Sequence, residues 1–244
     1  MKKTALLLPL LLIVQFVIAQ QDFTGTILDW EVGSGDIITG LMQPKVIGSV
    51  DDQGNFKIPL NPNFLDDIKK EMEEENKKDN DGWTASLMTV DKLFNCFGDS
   101  LMVENGNQPI SKLSQMGAFM LVNMSEKKRL GYFFAVNSAA FAESLMNIGT
   151  YAFSPGYYVD WYFVGQPGSV KGNCKQEAYA LNQEEIYEKN TTYNLEFKEG
   201  WNVVKYEIKK VFKDKDGKTY PQEIEYATLP EIPKNITYSF MKDD

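Results

Sequence analysis

The sequence predicts a mainly β protein, an antiparallel β-sandwich or a pair of them, with one charged helix and a second short helix. Two runs, GYYVDWYFV at 156–164 and LGYFFAV at 130–136, are dense in the aromatic and β-branched residues that suit a pleated, half-buried surface. Period-two alternation recurs in TTYNLEFKEGWNVVKYEIKKVF, where Tyr193, Leu195 and Phe197, and then Val204, Tyr206 and Ile208, each share a face. Turn chemistry punctuates the runs at Asp51–Asn55, Glu199–Gly200 and Asp214–Gly217.

Along the chain, residues 1–19 carry Lys2 and Lys3, an apolar run, and small residues at Val17 and Ala19, the pattern of a secretory signal peptide cleaved before Gln20. The run is broken by Pro9 and Gln15 and falls short of a membrane span, so no transmembrane segment is expected. Residues 20–60 form the N-terminal β-hairpin region of a sandwich. There Val46, Gly48 and Val50 are expected on one strand face, and Phe56, Ile58 and Leu60 on one face of the next.

Residues 61–82 change period. Phe64, Ile68 and Met72 fall four apart, Asn61 and Pro62 suit a helix start, and the later turns are almost wholly charged, which predicts a helix packed through its first turns only. The rest, 83–244, is a β-rich sandwich region, one domain with 20–60 or a second one. Within it SAAFAESLMNIG is the second short helix, and residues 193–226 read as a meander of at least three strands.

The stretch from Phe23 to Leu60 resembles carboxypeptidase regulatory-like β-sandwich domains at Gly25, Ile27, Asp29, Asp51, Gly54, Phe56 and Ile58. The resemblance implies a structural or adhesive module and no catalyst. Residues 156–208 are similar in style to exported bacterial β-proteins of unassigned function.

Composition removes whole classes of chemistry. With 25 Lys+Arg against 34 Asp+Glu the chain is acidic, and Arg129 is its one arginine, which argues against nucleic acid as a partner. Histidine is absent, so Ser/His and Cys/His triads and the usual catalytic zinc sites are not expected. No metal and no cofactor are expected. An EF-hand register on Gly82 or Gly217 puts Lys77 or Phe212 at the first ligand position and fails, which leaves the turns at Asp51/Asp52, Asp79/Asp81 and Asp214/Asp216 as hairpin chemistry, with a calcium loop of another kind as the alternative at each.

The tetrapeptide Gly98-Asp99-Ser100-Leu101 matches the opening of the GDSL-type esterase signature. A serine nucleophile needs a base to take its proton, and the family's histidine has no counterpart here, so Ser100 is expected to be non-catalytic. Cys96 and Cys174 are expected to form one disulfide, in keeping with a periplasmic or extracellular location.

Alternation in YYVDWYFV puts Tyr157, Val159, Trp161 and Phe163 on a core face and Tyr158, Asp160, Tyr162 and Val164 on the other. A carboxylate between two tyrosines suits a sugar platform, and Trp201 after a Glu-Gly turn suits a half-exposed ring, so Tyr158, Asp160, Tyr162 and Trp201 are the candidate binding residues. The expected function is a secreted, non-catalytic protein with a structural or binding role at the cell envelope, carbohydrate binding being its sharpest form and an envelope glycan or protein its partner. The alternatives are a carboxylate-based glycoside hydrolase using Asp160, which needs a second carboxyl about 5–9 Å away, and an interaction module using an exposed strand edge.

Overall fold

A computed structural model describes residues 22–39, 44–77, 84–97, 101–115 and 117–242. The signal-peptide expectation for 1–19, the Asp79/Asp81 turn, Trp83 and the Gly98–Ser100 part of the GDSL text lie outside these described residues.

The fold is mainly β. Its first strands are β1 (Asp22–Leu28), β2 (Gly35–Thr39), β3 (Lys45–Val50) and β4 (Asn55–Pro59). The β3–β4 turn is held by Asp51, whose Oδ1 accepts from the backbone amides of Gln53 and Asn55, with Gly54 at φ 81°. Phe56, Ile58 and Leu60 are buried together as their alternation predicts. On β3 the alternation fails: a bulge opposite Ile37 and Ile38 inserts Ile47, so Val46 turns outward, 50 % exposed, while Ile47 packs on the core.

Helix α1 (Phe64–Asn76) follows, and only Phe64 and Leu65 are buried. Its approach is fixed by Asn61, whose Oδ1 accepts from the Asn63 amide and whose Nδ2 donates to Asp67. A loosely structured stretch then carries α2 (Val90–Leu93), β5 (Met102–Glu104) and β6 (Ile110–Lys112). After it come β7 (Ala118–Asn123), β8 (Lys128–Val136) and α3 (Ala139–Met146), the helix capped by Ser138 Oγ accepting from the Phe141 amide at 3.3 Å. The remaining strands are β9 (Gly156–Val164), β10 (Gly168–Tyr179), β11 (Ile186–Phe197), β12 (Gly200–Lys213), β13 (Thr219–Leu229) and β14 (Thr237–Lys242). Among the described residues no helix is long and apolar enough to cross a membrane.

The sheet runs β14-β1-β4-β3-β2-β7-β8, and β14 pairs back onto β8, so these strands close into a barrel. Closure depends on a parallel pairing of β1 with β14, Ile27 against Tyr238, between opposite ends of the chain. The interior holds Phe23, Phe56, Phe119 and Phe133, with ring centroids 4.8–5.6 Å apart along the contacts Phe23–Phe56, Phe23–Phe119, Phe56–Phe133 and Phe119–Phe133. Burial of four such rings gives the barrel a dense apolar filling.

From β8 the sheet continues as a wing, β9-β12-β13-β11-β10-β5, joined to the barrel by one pair, Val136 with Tyr158. The expected meander of 193–226 is corrected here. β12 and β13 form an antiparallel hairpin at the Asp214 turn, but β11 lies parallel to β13 and does not pair with β12. The chain between β11 and β12 is therefore a crossing loop, stapled by buried Asn202: its Oδ1 accepts from the Lys198 amide and its Nδ2 donates to the carbonyls of Lys198 and Gly200.

One wing face is covered by the stretch bearing α2 and β6, where Val90, Phe94 and Ile110 pack on Tyr162, Val164, Leu195 and Val204. The Cys96–Cys174 disulfide, Cα atoms 5.6 Å apart, pins this cover to β10.

Candidate functional site

Strand β9 is flanked on one edge by β12 along its whole length. Its other edge is shared: β8 takes Tyr158 and β6 takes Tyr162 to Val164. Asp160 sits in the gap between them. There its Oδ1 accepts from the backbone amides of Trp161 at 2.7 Å and Ser114 at 3.3 Å, while Oδ2 has no hydrogen-bond partner. Burial pushes the Asp160 carboxyl up to about 6, partly offset by the Trp161 and Ser114 amides and the positive charge of Lys112.

Alternation correctly places Tyr158, Asp160 and Tyr162 on one face. That face is not an outer surface, because the α2–β6 cover and α3 close over it. The exposures are 8 %, 1 % and 3 %, so the three do not form an open stacking platform. Burial also raises the hydroxyls of Tyr158 and Tyr162 above the ordinary tyrosine range. Tyr158 begins a row of tyrosines in register across the wing, Tyr158, Tyr206, Tyr226 and Tyr193, with successive ring centroids 4.9, 5.1 and 5.5 Å apart. Trp201 lies away from this group. It is partly buried against Phe64 and Phe163, and its Nε1 donates to the Asn61 carbonyl at 3.0 Å.

Ser114, which caps Asp160, also lines a cavity of ≈ 480 Å³ between the outer face of the barrel and α3. Its walls are Ile38, Met120, Tyr132 and Phe134 from the barrel, Leu145 and Met146 from α3, and Leu113. Ile38, Met120 and Tyr132 form one register row across β2, β7 and β8. Its polar lining residues are Thr39, Ser114, Gln115 and Tyr132, the buried Ser114 hydroxyl having no hydrogen-bond partner, and no charged side chain lines the cavity among the described residues. Sequence reasoning missed these residues. The signal lay in Ala118–Val122 and Tyr132–Val136, apolar on both faces, a pattern that belongs to strands covered on both sides.

No cluster of His, Cys, Asp or Glu among the described residues has metal-binding geometry. The turn carboxylates are occupied locally: Asp214 accepts from the amides of Asp216 and Lys218 and from the Tyr220 hydroxyl. Searches against protein-family models, curated proteins and solved structures return no match to this chain.

Proposed function

We propose that this is an exported, non-catalytic binding protein that takes an uncharged, mainly hydrocarbon small molecule into the cavity between the barrel and α3. The observation that carries the reading is the cavity's lining. A partly open cavity of ≈ 480 Å³ walled by Ile38, Met120, Phe134, Leu145 and Met146 has the size and largely apolar character of a small-molecule site, and the polar residues on its lining, Thr39, Ser114, Gln115 and Tyr132, are all uncharged. The methionines give a deformable wall that accommodates varied apolar shapes. A charged ligand would enter without a partner, at a large desolvation cost.

Export is supported by the pattern of residues 1–19 and by the disulfide. A non-catalytic role is supported by the chain's lack of histidine and by the surroundings of Asp160, whose partners are amides and Lys112 in place of a second carboxyl.

The test is titration of the full chain with N-phenyl-1-naphthylamine, a neutral fluorophore that brightens on leaving water. Saturable brightening is expected, with affinity reduced at least about tenfold in Ala118→Phe, which fills the cavity from its floor. No saturable signal, or equal affinity in a folded Ala118→Phe variant, would overturn the reading.

A further inference from the structure

A second concavity of ≈ 550 Å³ opens on the opposite side of the wing, where β1, β9, β11, β12 and β13 converge. Its floor is apolar and rigid: Trp161 stacks on Phe23 with ring centroids 3.7 Å apart, and Val203 and Leu229, paired across β12 and β13, extend it. Trp201 forms a wall, its ring held by Phe64 and Phe163 and its Nε1 by the Asn61 carbonyl. The indole is thus oriented before any ligand arrives, so binding orders little further.

Polar groups ring this floor. Of the charged ones, Asp22 is paired with Lys57 and Glu196 with Lys171. Lys198 and Glu231 have no ion-pair partner among the described residues. The Thr228 hydroxyl accepts from the Glu196 amide and keeps its own proton to donate.

We propose that this cleft is a carbohydrate-binding site for a neutral saccharide. A sugar presents C–H faces to a fixed indole and apolar floor, and its hydroxyls donate to carboxylates and accept from an ammonium. Glu231 and Lys198 supply both kinds of group without first breaking an ion pair. With Asp22 and Glu196 neutralised by Lys57 and Lys171, the charges left unpaired among the described residues are Glu231 and Lys198, so the rim has no net positive charge to hold an anionic sugar. The site is separate from the apolar cavity and stands whether or not that cavity holds a ligand.

The test uses the full chain, isothermal titration and tryptophan fluorescence, with tetrasaccharides of glucose, mannose, xylose and N-acetylglucosamine, and a tetragalacturonate as the anionic probe. At least one neutral tetrasaccharide is expected to bind and to shift the tryptophan emission, with the anionic probe at least about tenfold weaker. Trp201→Ala should abolish binding. Because Trp201 also packs on Phe64 and Phe163, the exposed Glu231→Ala serves as the variant that leaves the fold intact, and it should weaken binding at least about fivefold. Failure of every neutral sugar, preference for the anionic one, or binding unchanged in Glu231→Ala and in a folded Trp201→Ala would overturn the assignment.

Discussion

The backbone amide of Ser114 donates to Oδ1 of Asp160 across 3.3 Å, so the wall of the apolar cavity is fastened to a buried carboxyl whose second oxygen is left without a partner. The carboxyl fills the break in β9's edge where β8 leaves off and β6 begins, and it supplies the acceptor that no strand provides there. A buried polar group of this kind is costly when ionised. Asp160 therefore links strand pairing to pH.

The sign of that link follows from where the group titrates. Unfolded, Asp160 titrates near 3.8, and folded, near 6. Between these values the folded protein keeps a proton that the unfolded chain has lost, so Asp160 lowers stability as pH rises through the window. The penalty is absent below the lower value and complete above the upper one. At about 1.4 kcal/mol per pH unit it amounts to about 3 kcal/mol at neutral pH. Carboxyls such as Asp51, held below the ordinary range by the Asn55 side chain, contribute the opposite slope at lower pH and are common to wild type and variant. In Asp160→Asn the acceptor for Ser114 and Trp161 is retained and the titration removed. The difference in unfolding free energy between wild type and variant, measured by urea titration from pH 3.5 to 7.5, should fall by about 3 kcal/mol across the window. A difference that does not change with pH would contradict this account.

Much of the fold was legible because it is local. Alternation in β4, β9 and β12 and the Asp turns at 51 and 214 are written in neighbouring residues, and so are the first turns of α1. Closure was not, since it pairs Ile27 with Tyr238 in parallel, and nothing in either segment names the other. The crossing from β11 to β12 was missed for a related reason. A Glu-Gly turn between two alternating runs signals a hairpin, and only the buried Asn202 staple shows that the chain steps over β13. At the candidate site, alternation placed Tyr158, Asp160 and Tyr162 on one face. Which face is covered is decided by the α2–β6 stretch, whose irregular sequence carries no period and whose position is set by Cys96 and Cys174.

The barrel's closing seam offers a sharper steric test. Gly131 on β8 pairs with Lys242 on β14 at φ 146°, and a Cβ there would overlap the Met241 carbonyl oxygen and crowd the Phe240 ring. Ala at this position has neither the backbone freedom nor the space, so Gly131→Ala should cost at least about 2 kcal/mol. Gly149, around which a Cβ would meet nothing within 4 Å, is the control, and Gly149→Ala should stay within about 0.5 kcal/mol of wild type. Chemical denaturation of both variants decides the matter: equal midpoints would show that the seam is not a tight constraint.

The disulfide makes the last prediction, because it fastens a cover that has little regular structure of its own. Cys96 and Cys174 are 78 residues apart in sequence, and Cys174 is buried on β10 beneath the cover. Cross-linking so long a loop restricts the unfolded chain, and the chain-entropy relation puts the gain at about 4–5 kcal/mol. Removing the link should act most strongly on the cover itself, since what else holds it to the wing is the small apolar cluster of Val90, Phe94 and Ile110 and the short pairings of β6 with β9 and β5 with β10. The variant Cys96→Ala/Cys174→Ala should lose several kcal/mol of stability in denaturant titrations. In hydrogen exchange it should lose protection first at α2 and β6, while the barrel strands β4 and β8 keep theirs in proportion to global stability. A uniform loss throughout the chain would mean that the cover and the barrel unfold as one cooperative unit, and an unchanged stability would mean that apolar packing and strand pairing hold the cover without the bond.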